Sequence, residues 1–242
     1  MLIYYVFLLL LAIFPSVVIL SIVYKKDKER EPKKLLVALF GVGILSCFLT
    51  LILTDISDYI FKFMSSDAVK QSNGDYFVLI LHSFIQIGFI EEMSKWVFNY
   101  SIVWKNKEFD HIYDSIVYSV FLSLGFATFE NILYVLMYGV KTGIIRAVTS
   151  VPAHAFFAVN MGYYIGLAKL CSINGNNKLV NKYKLYSIAI PTFLHGLFDF
   201  GLMSGQPILI YISFALVIYL YVTGIKRVNQ FSNINNKLTN NN

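Results

Sequence analysis

The chain has 242 residues, 57% of them hydrophobic and only 14% charged, with a formal net charge of +6. Soluble domains carry about 25% charged residues, so this composition points to a single membrane-embedded domain and excludes a water-soluble enzyme. The basic residues sit in short links between apolar stretches, which leaves no basic face for nucleic acid.

Apolar stretches of about 20 residues, each able to cross a hydrocarbon core of about 30 Å, recur along the chain. Seven are read here, at 2–24, 35–54, 77–103, 112–138, 143–168, 185–203 and 207–225. The expected fold is therefore all-α, a polytopic bundle of about seven transmembrane helices. The first stretch has no Lys or Arg before it and is too long for a signal-peptide core, so it reads as a retained helix. With the N-terminus outside, fifteen of the 20 Lys and Arg residues fall on the inner side. Four (Lys62, Lys70, Lys141 and Arg146) fall outside and Lys95 is embedded, so the positive-inside rule favours N-out and C-in. Residues 1–225 form one transmembrane domain, and the polar stretch 226–242 is expected to be a disordered cytoplasmic tail. Cys47 and Cys171 suggest neither a disulfide framework nor a metal-binding pair.

Ionisable residues interrupt four of the apolar stretches. They are Glu91, Glu92 and Lys95 in the third, Glu130 in the fourth, His154 in the fifth, and His195 with Asp199 in the sixth. A charge at the centre of a membrane helix costs roughly 2.5–3.5 kcal/mol on insertion scales, so such groups usually serve a site or pathway. Counting from the span ends places Glu91 and Glu92 about 14 residues, or about 21 Å, below the outer end of their helix. His154 lies about 11 residues in, and Glu130, His195 and Asp199 about 8, 8 and 4 residues short of the outer ends of theirs. All fall between the middle of the bilayer and its outer half, as one shared cavity open to the outside requires.

Spacing adds to this. His195 and Asp199 are four apart and share a helix face, as do Glu91 and Lys95. An ammonium beside two adjacent carboxylates separates their roles, one held as its partner and the other left to exchange a proton. The bland alternatives are helix-packing pairs for Glu91 and Glu92 with Lys95, an interhelical hydrogen bond for His195 with Asp199, and a register-fixing network for Glu130 with Asn131. His82 and Gln86, one turn apart, read as interface or water-entry residues. Asp110, His111 and Asp114 read as solvated groups at the inner boundary, and Phe126 as core packing that shapes a cavity wall.

Four motifs occur in order: EExxK at Glu91–Lys95, FxxxEN at Phe126–Asn131, an intrahelical His154, and HxxxD at His195–Asp199. Together they resemble the PrsW family of intramembrane proteases, part of a larger group with the CAAX prenyl endopeptidases and bacteriocin-processing enzymes. The resemblance implies that Glu91 is the general base that activates water, with Glu92 and Lys95 orienting or tuning it. It implies that His154 and His195 bind the water, a metal or the developing oxyanion, assisted by Asp199, while Glu130, Asn131 and Phe126 support the site. Glu130 stands where the CAAX relatives carry a histidine, and Asp199 where they often carry asparagine, which argues against prenylated substrates. The implied substrate is a single-pass membrane protein such as an anti-sigma factor, cut on the outer side of a bacterial plasma membrane to release a sigma factor.

Two mechanisms remain open from the residues. A zinc site could draw on Glu92, His154 and His195, with one open position for water. The other is metal-free hydrolysis with Glu91 and a histidine activating water, and His195 and Asp199 stabilising the oxyanion. A small proton- or cation-coupled transporter using the same carboxylates is the competing function, and a non-catalytic scaffold a third.

Overall fold

The computed structural model describes residues 2–71, 75–234 and 238. Helices α1 (Leu2–Lys26) and α2 (Lys33–Ile60) are followed by a short 3₁₀ turn and by α3 (Ser66–Gln71). The third span is composite: α4 (Tyr76–Leu81), a π-helical stretch over His82–Phe89, then α5 (Ile90–Val103). Helix α6 (Asp114–Tyr138) ends at Gly139, whose φ of 81° suits a residue without a Cβ. Then come α7 (Val140–Val148), α8 (Ser150–Ile173), α9 (Asn177–Met203) and α10 (Pro207–Asn233). Seven helical segments are long and apolar enough to cross a membrane, so the expected all-α polytopic bundle holds.

Helix α6 is the axis of the bundle, packed by α1, α2 and α8 and buried along most of its length. Small residues make this possible, because without a hydrophobic drive between helices in lipid, close backbone packing must hold them together. A Cβ on Gly125 would lie 2.0 Å from the Phe40 carbonyl oxygen of α2, and one on Gly43 would lie 1.9 Å from that of Leu122. A Cβ on Gly162 of α8 would meet the Ser115 carbonyl oxygen at 2.4 Å. Ser115, Ser119 and Ser123 cap neighbouring carbonyls while keeping the same surface thin.

The structure corrects three expectations. The fifth span is broken at Thr149 into α7 and α8. Pro152 explains the break, since it has no N–H for the carbonyl of Val148 and its ring would clash with it. Second, residues 226–233 are not a disordered tail: they extend α10. Val228 and Phe231 are buried, Phe231 stacks on Tyr163 at 4.6 Å, and Ser232 donates to the Lys26 carbonyl at 2.7 Å. Residues 235–237 and 239–242 of the expected tail lie outside the described residues. Third, Asp114 and His111 are buried rather than solvated.

Candidate active site

The third span reaches the site through its wide π turn. Ile90 donates to the carbonyl of Ile85, five residues back, where an α-helix would use the fourth. Polar side chains hold the turn open: His82 Nδ1 lies 2.9 Å from the Met64 carbonyl and 2.6 Å from Gln86 Oε1, and Gln86 donates to Asp58. Gly88 and Gly196 then let this span and α9 touch backbone to backbone. A Cβ on Gly88 would lie 2.8 Å from the Thr192 carbonyl oxygen, and one on Gly196 2.8 Å from the Phe84 Cα. No larger residue fits between, and this contact brings Glu91 and Glu92 beside His195.

Seven ionisable side chains converge there. Glu92 and Lys95 are fully buried, with Lys95 Nζ 2.8 Å from Glu92 Oε1, 3.4 Å from Glu91 Oε2 and 3.1 Å from His154 Nδ1. The ammonium also lies 4.0 Å above the Phe126 ring, so Phe126 is a cation–π floor as well as a cavity wall. His195 sits between two carboxylates, its Nδ1 3.0 Å from Glu92 Oε1 and its Nε2 3.0 Å from Asp199 Oδ2. Glu91 Oε2 is 3.8 Å from that Nε2. His154 is bracketed in the same way, its Nδ1 facing the Lys95 ammonium and its Nε2 lying 3.0 Å from Glu130 Oε2. The two imidazoles are 5.1 Å apart and nearly perpendicular.

These groups open on a cavity of about 530 Å³. Its lining includes Glu91, Glu130, His154, His195 and Asp199, and it extends past Thr54, Ser66 and His82 towards the end of the bundle that carries α3. Side-chain exposures of 13% for Glu91, 17% for Glu130 and 20% for Asp199 separate the carboxylates that face the cavity from Glu92, which does not. Such an arrangement can deprotonate a water, hold a developing oxyanion and keep bulk solvent out.

Two residues of the site were not read from the sequence. Arg146 was assigned to the outside, yet from α7 it pairs with Glu130 at 2.9 Å and donates to Asn131 at 3.0 Å. Phe157 stacks on His195 at 4.8 Å. Phe157 follows His154 by three residues and so shares its helix face, which was the available signal. Asn131 turns away from the cavity and donates to the Ala12 carbonyl of α1 at 2.9 Å. It serves as a tie between helices.

The sequence profile of the family described as PrsW family intramembrane metalloprotease matches residues 31–224, well over half of the chain. The chain belongs to the PrsW family. Protease PrsW of Oceanobacillus iheyensis is 33% identical over 226 residues, covering 92% of this chain and 96% of the relative. Protease PrsW of Bacillus subtilis is 31% identical over 224 residues (92% and 94%), and that of Geobacillus kaustophilus 37% over 196 residues (79% and 78%). No solved structure matches the chain. As a PrsW-family member with seven spanning helices it is an intramembrane protease and a multi-pass protein of the bacterial cell membrane, and the transporter and scaffold readings fall away.

The PrsW family's description as metalloproteases raises the question of which side chains could hold an ion. Ligand atoms of Glu91, His154 and His195 lie within 4.8 Å of one another, a two-histidine, one-carboxylate set of the kind zinc takes. His195 carries a carboxylate on its second nitrogen, the usual way of orienting a metal-binding imidazole. The set therefore fits such an ion. It differs from the expected one by exchanging Glu92 for Glu91, because Glu92 Oε1 is engaged by both Lys95 and His195 and the residue has no access to the cavity.

Proposed function

We propose that this chain hydrolyses a peptide bond of a single-pass membrane protein of the anti-sigma-factor type, near the outer face, using water activated by Glu91. The observation that carries this reading is that Glu91 alone of the paired carboxylates opens on the cavity, while Glu92 is held in full burial by Lys95 and His195. Glu91 removes a proton from water as its oxygen attacks the carbonyl carbon, and returns it to the amine nitrogen as the C–N bond breaks. His195, its Nδ1 held by Glu92, shares its Nε2–H between Asp199 and the tetrahedral oxyanion. His154, held between Lys95 and Glu130, forms the opposite wall and orients the water.

In the alternative, metal form of the site, Glu91, His154 and His195 would instead hold a zinc ion, which when bound supplies Lewis acidity to a carbonyl oxygen or a water. The cavity's extension towards α3 supports an outer-side reaction, since the basic residues favour N-out and C-in and so put the 55–76 link outside.

Co-expression with a tagged single-pass substrate tests the reading. Glu91→Gln is expected to reduce cleavage by about 10²–10⁴-fold at unchanged expression, the usual contribution of a general base. Cleavage at the wild-type rate would remove Glu91 from this role. Metal analysis of the same purified proteins separates the mechanisms: a stoichiometric ion present in wild type and lost in His195→Ala supports the metal form, and an active wild type without one ends it.

A further inference from the structure

A second cluster of carboxylates lies at the other end of the bundle. Asp114, the first residue of α6, is about 24 Å along that helix from Glu130, at 1.5 Å per residue. Around it the α1–α2 link folds inward, so that Asp27 and Glu31 are each 5% exposed and Asp114 is fully buried. Ligand oxygens of these three residues lie within 4.8 Å of one another. We propose that Asp27, Glu31 and Asp114 bind a hard divalent cation, Mg²⁺ or Ca²⁺, which fastens the α1–α2 link to the start of α6.

The atoms are arranged as such a site needs. Each carboxylate has one oxygen fixed by the protein: Asp27 Oδ1 accepts from the Glu29 amide at 3.2 Å, and Asp114 Oδ2 accepts from the His111 amide at 2.6 Å and the Asp110 amide at 3.1 Å. Glu31 Oε2 accepts from the Tyr118 hydroxyl, itself buried. The other oxygens of the two aspartates, Asp27 Oδ2 and Asp114 Oδ1, are buried and have no hydrogen-bond partner. An unpartnered buried carboxylate oxygen is among the more costly groups a protein can carry, and here two stand together.

Protein charge does not offset them. Among the described residues, no Lys or Arg forms an ion pair with Asp27, Glu31 or Asp114, and His111 pairs with Asp110 instead, at 2.7 Å. An oxygen-only donor set of three acids selects Mg²⁺ or Ca²⁺ over softer ions, which take nitrogen or sulfur ligands.

Full-length protein in detergent, stripped with chelator and returned to chelator-free buffer, is titrated with Mg²⁺ and separately with Ca²⁺. Calorimetric binding and the unfolding midpoint are both read. The expected result is binding of one of the ions, with the midpoint raised by about 5–10 °C when the ion stands at about 100 times its Kd. Affinity is expected to fall by about 10–100-fold or more in Glu31→Gln and Asp114→Asn, while Glu91→Gln binds as wild type does. Glu31→Gln also removes a repelling charge, so its ion-free midpoint stays at or above that of wild type and the comparison holds even where Asp114→Asn fails to fold. Folded wild type that binds neither ion, or undiminished binding by Glu31→Gln, overturns the proposal. So does binding that is lost in Glu91→Gln, which would assign the ion to the catalytic cavity.

Discussion

Arg146 reaches the cavity from α7 and lies 4.1 Å over the Tyr134 ring while it pairs with Glu130. Glu130 in turn receives His154, so the guanidinium sets where the imidazole stands without touching the Glu91 water site. Arg146→Gln is expected to lower kcat by about 10–100-fold with little change in KM, as loss of a group that orients a catalytic side chain does. Arg146→Lys, which keeps the charge, should recover part of that loss in the same kinetic assay. A purely structural role would instead follow the unfolding midpoint and show no kcat-against-KM split. The sequence could not reveal this residue, because a lone arginine near a span end looks like a topology signal and nothing local marks its partner 16 positions away. Pairs within one helix were legible by contrast. His195–Asp199 and Glu91–Lys95 are joined in the structure because a spacing of four fixes a common face whatever the tertiary packing.

At the scale of helices, spans were legible and their interruptions were not. Hydrophobic length marks a crossing, but the π stretch over His82–Phe89 depends on bonds from His82 and Gln86 to residues 18 and 28 positions away. The extension of α10 was hidden by its composition. Arg227, Asn229 and Ser232 look like a tail until Arg227 is seen donating to Asn160, Asn229 accepting from the Lys26 ammonium and Ser232 donating to the Lys26 carbonyl. The contact between the third span and α9 is the most sensitive joint. Gly196→Ala would push a Cβ to 2.6 Å from the Phe84 ring and 2.8 Å from its Cα. It is expected to destabilise by about 1–3 kcal/mol, the usual range for overpacking, and to uncouple Glu92 from His195. Gly41→Ala is the matched control, with nothing within 4 Å of the added carbon, and should stabilise α2 by about 0.5–1 kcal/mol. Unfolding midpoints and cleavage rates of the two variants check both outcomes, and equal behaviour would remove the joint from the account.

For the whole molecule, the convergence of ionisable groups from the third, fourth, fifth and sixth spans was visible from depth alone. Membrane thickness ties position along a helix to height in the bundle. What depth could not supply was azimuth: only the family resemblance singled out Glu91 over Glu92, and the physical reason, that Glu91 lines the cavity while Glu92 is buried beneath it, needed the structure. Orientation remains a prediction from charge. Reporter fusions within residues 62–71 and after residue 233 are expected on opposite sides, with the first outside and the second inside, and activity of both reporters on one side would refute it.

The segment by which the family is recognised begins at residue 31, beyond α1. Yet Asn131 donates to the Ala12 carbonyl, and Thr128 bonds the Ser16 hydroxyl at 2.7 Å, so the opening helix is stitched to α6 one turn from Glu130. Cut away α1 and the Asn131 amide would face acyl chains that can offer it nothing, while the Thr128 hydroxyl would keep only the Leu124 carbonyl of its own helix. The smallest working enzyme is therefore larger than its signature, and the N-terminal helix is masonry of the reaction chamber as much as a mooring in the bilayer.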